Sequence, residues 1–250
     1  MTLLLDVGNT RLKWAQLVDG RLAARGALLH RGVTPQAWVA ALDSVAGEPR
    51  AIAVANVAGP GIAHAIGEWA LARFGLRPRF LRAAAQAGGV INAYREPETL
   101  GVDRWLGLVG AWRRVQGPLV CIAAGTALTV DAVDAGGRHL GGLIVPGYPL
   151  MTDALLKHTS EIAPGVARAP ADADGLFGRN TAAAVEQGAL NALAALGARA
   201  IDATARRVGA MPRVFVGGGD SARLLPLLER PAELAPDLVL EGLALVAGEG

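Results

Sequence analysis

Asp6, at the end of the first apolar stretch, is followed by Val7, Gly8, Asn9 and Thr10, and then by Arg11, Leu12 and Lys13. Gly8 lets the main chain come close to an anion. The amide N–H groups at the tip of such a turn can hold phosphate oxygens, and Asn9 and Thr10 add side-chain donors. A carboxylate beside phosphates makes chemical sense once Mg2+ is included, because Asp6 can then orient the ion or its waters. The same residue types also build an ordinary hairpin turn. A partial copy favours the first reading: Val120-Cys121-Ile122-Ala123-Ala124 runs into Gly125-Thr126-Ala127, with Thr129 beyond. Gly8 superposes on Gly125, and Gly20-Arg21 on Gly137-Arg138. Two amide-tipped hairpins, one per half, predict a duplicated fold that grips a nucleotide between two lobes.

Leu100-Gly101-Val102-Asp103-Arg104-Trp105 opens a helical pattern. A carboxylate in the first turn is kept ionised by the helix dipole. It can accept the proton of a substrate hydroxyl as phosphoryl transfer proceeds, and Arg104 can pair with a carboxylate or phosphate. An acidic residue in a first turn is also common with no such role. Gly217-Gly218-Gly219 after a buried strand permits backbone approach to a flat ring or a phosphate, or else makes a linker or tight turn. At Asn180-Thr181, Thr181 can face a ligand, or the pair can simply cap a helix.

These groups need elements to hold them. Leu3 to Val7, Leu12 to Val18 and Arg21 to Leu29 read as three strands, the last two joined by Asp19-Gly20, a strong hairpin signal. Pro35 to Val45 reads as a helix with Thr34 as its N-cap. Arg50 to Ala55 reads as a strand, Gly61 to Phe74 as a helix, and Arg79 to Leu81 as an edge strand. Ala87 to Thr99 is irregular, and a long helix opens at Thr99 or Gly101. Gln116-Gly117-Pro118 divides residues 1–117 from 118–250 as two lobes. The cycle then restarts with strands at Leu119 to Ala123, Ala127 to Val133 and Leu140 to Val145, and a helix at Pro149 to His158. Ala163 to Gly178 reads as a surface loop. Asn180 to Val208 reads as a helix broken near Gly197. Val214 to Val216 reads as a strand, Ser221 as the cap of another helix, and Leu238 to Ala247 as a final strand and helix. The class is α/β, with a mixed sheet in each lobe.

Composition narrows the function. With 250 residues, 52% hydrophobic and 18% charged, the chain can bury a substantial core. A net charge of +2 and the lack of a basic stripe with interleaved aromatics argue against nucleic-acid binding. Lys13 and Lys157 are the only lysines. A single cysteine, Cys121, permits no intrachain disulfide and fits a reducing setting; inside an apolar strand it reads as core packing. His30, His64, His139 and His158 have no zinc-ligand spacing. No apolar run reaches membrane-spanning length, and Asp6 sits where a signal peptide would be apolar. The expectation is a cytoplasmic protein with no membrane partner.

Asp6 to Thr10 with Lys13, then Tyr94, Pro97 and Gly101 to Arg104, then Gly125-Thr126-Ala127 with Thr129, then Asn180-Thr181 follow one another in an order and spacing that resembles the type III pantothenate kinase family, part of the acetate and sugar kinase/heat-shock cognate/actin superfamily. The resemblance covers nearly the whole chain. It implies a duplicated two-lobed actin-like ATPase (ribonuclease H-like) fold. It further implies that Asp6, Val7, Gly8, Asn9, Thr10, Arg11, Leu12, Lys13 and Thr126 bind ATP, with Mg2+ neutralising the phosphates. Tyr94, Gly101, Val102, Asp103, Arg104 and Thr181 would line the pantothenate pocket. Asp103 would accept the proton of the primary hydroxyl, giving 4′-phosphopantothenate on the way to coenzyme A. A homodimer and activation by potassium or ammonium are implied as well.

Two positions depart from that pattern. The family usually carries Asp just before the small residue and Gly-Thr of the second turn, and that carboxylate binds the monovalent cation. Here the position is Ala123, which also aligns internally with Asp6. A methyl group cannot ligate potassium, so little or no potassium activation is expected; Asp131 is a poor substitute. Val102 stands where the family often has Ala, a tolerable change. Two other functions compete. One is a nucleotide-binding regulatory or accessory protein on the same scaffold, with weak or lost kinase activity. The other is a kinase of the same superfamily with a different acceptor, against which the Tyr94 to Arg104 stretch argues.

Overall fold

The structure, a computed structural model, describes residues 1–29, 34, 41–168 and 172–248. Its elements in chain order are β1 (Thr2–Val7), β2 (Arg11–Val18), β3 (Arg21–Leu29), α1 (Asp43–Ala46), β4 (Ala51–Asn56), α2 (Pro60–Phe74), β5 (Arg79–Phe80), β6 (Gln86–Ala87), β7 (Val90–Ile91) and α3 (Val102–Val115). There follow β8 (Leu119–Ala124), β9 (Ala127–Val133), β10 (His139–Pro146), α4 (Tyr148–His158), α5 (Ile162–Arg168), β11 (Ala173–Asp174), β12 (Phe177–Gly178), α6 (Thr181–Val208), β13 (Arg213–Gly217), α7 (Ser221–Leu224), β14 (Glu233–Leu234) and α8 (Leu238–Gly248).

Contacts divide the chain into two units: residues 1–116 with 137–139 and the segment from Asp237, and residues 117–136 with 140–236. Each contains a five-stranded sheet, ordered β3-β2-β1-β4-β5 in the first and β10-β9-β8-β13-β14 in the second. In each, the leading strand pairs antiparallel with the next and parallel with the fourth. The repeated hairpin motif therefore marks a repeated sheet. The contact division passes between Gln116 and Gly117, and residues 137–139 and α8 pack with the first unit.

In the first unit, β1 is central, and Leu3, Leu4 and Leu5 are fully buried, as a strand covered on both faces requires. Side chains alternate across the sheet. Leu3, Leu5 and Val7 join Ile52, Ile66 and Trp69 in one core cluster, so Leu4 and Asp6 point to the opposite face. Helix α8 packs against β1, β2 and β4, and α3 packs against α8 and β4. In the second unit, Val120, Ile122 and Ala124 face a cluster that includes Leu193, Ile201 and Leu224, from α6 and α7. Cys121 and Ala123 take the other face.

Several expectations need correction. Within Ala87 to Thr99 a small antiparallel hairpin, β6–β7, precedes a 3-10 turn at Pro97–Thr99. The segment expected as a loop at 163–178 contains α5 and a second small hairpin, β11–β12. Helix α6 runs unbroken through Gly197, because a Cβ there would sit 2.7 Å from Leu228 and 3.2 Å from Ile122; close packing explains this glycine. Asp220, not Ser221, is the N-cap residue of α7, and the Ser221 hydroxyl donates back to the Gly218 carbonyl at 2.8 Å. The last strand, β14, lies before Leu238. Of the helix expected at 35–45, residues 35–40 lie outside the described residues, and Asp43–Ala46 is helical.

Candidate active site

Asp6 and Lys13 face each other across β1 and β2, one residue pair beyond Val7 and Leu12. The turn between them is closed by the Gly8 N–H, which donates to the Arg11 carbonyl at 3.0 Å. Asn9 and Arg11 are exposed at the tip. Val7 and Leu12 are fully buried, so they can meet a ligand only through their main chain. Asp6 is 9% exposed. Burial pushes its carboxyl from 3.8 up to about 7; the Lys13 ammonium opposes that rise and the Asp103 carboxylate adds to it. The structure thus brings together Asp6, Lys13 and Asp103, which are far apart in sequence. Two carboxylates that repel each other beside an amide-tipped turn make a donor set that a divalent cation would relieve.

Asp103 is the second residue of α3, in its first turn. Its Oδ1 accepts the Arg104 backbone N–H at 2.9 Å, which fixes the carboxylate's orientation. The N-cap is Gly101, and the first helical bond runs from Trp105 N–H to the Gly101 carbonyl at 3.0 Å. A Cβ at Gly101 would lie 2.8 Å from Asp103 Oδ1. Glycine there leaves the carboxylate its place.

Arg104 is buried, and its Nη1 donates to the Tyr94 hydroxyl at 3.1 Å. Tyr94 stacks in turn on His139, with ring centroids 6.0 Å apart. Asn92 holds the loop that carries Tyr94. Its Oδ1 accepts the Tyr94 N–H at 3.0 Å, and its Nδ2 donates to the carbonyls of Ala84 and Pro97. The sequence reading missed both Asn92 and His139. An Asn in a turn-rich stretch carries no mark of a three-way clasp, and one histidine just after a Gly-Gly turn carries no mark of a ring stack. Val102 is buried on α3, so its extra methyl groups pack into the unit.

In the second unit Gly125-Thr126 forms the tip of the β8–β9 hairpin, closed by Gly125 N–H to Ala127 carbonyl at 3.1 Å. Ala123 pairs with Thr129 and Gly217, as Asp6 pairs with Lys13 and Ala55. Gly147 N–H donates to the Thr126 carbonyl at 2.9 Å, and a Cβ at Gly147 would lie 2.0 Å from the Gly125 carbonyl oxygen. Gly218 makes an equally close approach to Ala124. The glycine run at 217–219 is therefore spent partly on protein packing. A small cavity beside the turn is lined by Gly125, Gly147, Tyr148 and Asp220, among others. Asn180 caps α6, accepting the Ala183 N–H at 2.9 Å. Thr181 is the first helical residue and abuts Gly165 of α5.

A mixed five-stranded sheet repeated in each of two units, with a hairpin tip at the head of each sheet, is the fold of the actin-like ATPases. A crystal structure of a Sinorhizobium meliloti protein provisionally assigned as a 2-dehydro-3-deoxygalactonokinase shares it with a TM-score of 0.65, at 15% identity, over 100% of this chain and 99% of that one. Residues 2–203 match the type III pantothenate kinase family. The chain is 39% identical to a type III pantothenate kinase of Nitrosococcus oceani, covering 99% of this chain and 94% of that protein. It is 40% identical to one of Aromatoleum aromaticum, covering 100% and 98%. This chain belongs to the type III pantothenate kinase family. Among the described residues no helix is long and apolar enough to cross a membrane.

Proposed function

We infer that this chain moves the γ-phosphoryl group of ATP to the primary hydroxyl of pantothenate, yielding 4′-phosphopantothenate for coenzyme A synthesis. Family membership supports the reaction. The observation that supports the residue roles is the meeting of Asp103, Asp6 and Lys13 in one unit. Asp103 accepts the hydroxyl proton, held for that task by the Arg104 N–H. The Gly8 to Thr10 tip and Lys13 hold phosphate oxygens, and Thr126 contacts the nucleotide from the second hairpin. Asp6 would hold Mg2+, and the ion would supply charge neutralisation on the phosphates. Tyr94, Gly101, Arg104 and Thr181 shape the pantothenate pocket, and Arg104, bonded to the Tyr94 hydroxyl, pairs with the acceptor's carboxylate.

The working form is a homodimer, and its use of ATP fits a cytoplasmic setting. A regulatory protein that only binds nucleotide needs no carboxylate fixed in this way, which favours the kinase. The test is ADP release with and without pantothenate. A signal that depends on pantothenate supports the reading; ADP release indifferent to pantothenate, or none, refutes it.

A further inference from the structure

The two hairpins are equivalent in topology but not in charge. Asp6 and Ala123 each stand two residues before the hairpin glycine, each pairs with the second strand of its sheet, and each pairs with the fourth. One bears a carboxylate and the other a methyl. The family resemblance puts a monovalent-cation ligand at position 123, so the second hairpin has to be judged as a cation site on the donors it retains.

Those donors are poor. A potassium-sized ion needs several oxygen ligands at once, as other hard cations do. The carbonyls of the turn already accept internal N–H groups: Ala124 from Asp220 at 3.0 Å, Thr126 from Gly147 at 2.9 Å, and Ala127 from Gly125 at 3.1 Å. The neighbour of Ala123 on β13 is Gly217, which adds no side chain. Asp131 lies on the same face as Ala123 and Thr129, but it pairs with Cys121, two residue pairs further from the tip, and is 3% exposed. Asp220 lines the cavity beside Gly125 and is the one acidic residue there. Among the described residues no group of three or more His, Cys, Asp or Glu side chains could hold a metal ion.

We propose that this kinase works without a bound monovalent cation, and that Ala123 is the residue that removes the requirement. The proposal rests on the kinase reading above and adds a claim about this hairpin alone. Ala123 is exposed, so Ala123→Asp can be made without burying a charge, and it should supply the anionic donor around which the turn carbonyls, each with a second lone pair, can complete a site.

Two measurements test this on the full chain. Pantothenate-dependent ADP release is compared in potassium and in tetramethylammonium chloride at equal ionic strength. Thallium NMR, with thallium(I) as the potassium mimic, reads cation binding whether or not the enzyme turns over. The wild type should show less than about a twofold rate difference between salts, since a ligand that does not bind shifts nothing, and no saturable thallium signal. Ala123→Asp should gain both saturable thallium binding and a potassium response. Saturable potassium activation or thallium binding in the wild type would overturn the proposal, and its loss in Asp220→Asn would identify Asp220 as a relocated ligand. An Ala123→Asp protein that binds no thallium would overturn the assignment to residue 123. If no salt supports pantothenate-dependent turnover, the kinase reading fails, while the thallium result still decides the cation claim.

Discussion

At the scale of single residues the first unit contains a carboxylate under stress and another at ease. Asp103 is in a first turn and its carboxylate accepts a backbone N–H. Asp103→Asn keeps the shape and removes the base. Its kcat should fall by about 10²- to 10⁴-fold, while calorimetry should find ATP binding close to that of the wild type; near-normal turnover would remove Asp103 from the mechanism. Asp6 is the stressed one, raised from 3.8 to about 7 by burial. The folded protein therefore holds a proton that the unfolded chain releases between those two values. The contribution of Asp6 to stability should be greatest below the lower one, fall as pH rises across the window, and level off above about 7, by a total on the order of 4 kcal/mol. Asp6→Asn should flatten that fall and exceed the wild type in stability at alkaline pH, yet bind Mg2+–ATP more weakly. Urea unfolding at a series of pH values checks the first half; a parallel pH dependence in the variant would place the titration elsewhere.

At the scale of elements the site depends on small residues and clasps that keep the polar groups in place. Gly101→Ala would press a methyl against Asp103 Oδ1, 2.8 Å from the added carbon. The backbone there, with φ of −52°, accepts alanine, so the carboxylate must yield. A misplacement near 1 Å costs about 10²-fold in rate, whereas an N-cap change from Gly to Ala costs about 1 kcal/mol; kcat should drop far more than urea stability. Asn92→Ala should release Tyr94 and with it Arg104, raising KM for pantothenate by about tenfold and leaving KM for ATP unchanged, because three clasp bonds are lost. Equal effects on both substrates would show a general loss of structure instead. The sheet strands were legible in the sequence because apolar runs and the Asp19-Gly20 turn mark them, and the structure pairs Val18 with Arg21 across that turn. Hairpins β6–β7 and β11–β12 were not legible, since strands of two residues have no period to detect. Gly197 misled for a physical reason: its cost of about 1 kcal/mol in a helix interior is overridden by the approach of Leu228. Of the candidate site, Asp6, Lys13 and Asp103 were marked by the family resemblance more than by local pattern, since an acidic residue in a first turn is common, whereas Asn92 and His139 act through contacts that no local spacing records.

At the scale of the molecule the chain builds the same strand order twice and then returns to the beginning. Helix α8 follows the second sheet in sequence but packs on α3, β1, β2 and β4. Its fit to α3 is close enough that two glycines are required. A Cβ at Gly242 would lie 1.9 Å from the Leu106 carbonyl oxygen, and one at Gly110 would lie 2.3 Å from that of Leu238. Arg114 adds a two-pronged bond to Glu241, at 2.8 and 2.5 Å. Because α3 begins at the proposed base, the end of the chain helps to fix the site near its start. No short-range pattern reveals this, since the partners are joined only by tertiary packing. Gly242→Ala should force the two helices apart at a cost of about 1–3 kcal/mol, the range for overpacking a close contact. Hydrogen exchange locates where that cost falls. Protection should weaken in β1, β2, β4 and α3, and remain in β8, β9, β13 and α6, as expected if cooperative units open separately. Were α8 instead part of the second lobe, as chain order alone suggests, the loss would appear in β8 and β13, and the assignment of α8 to the first unit would be wrong.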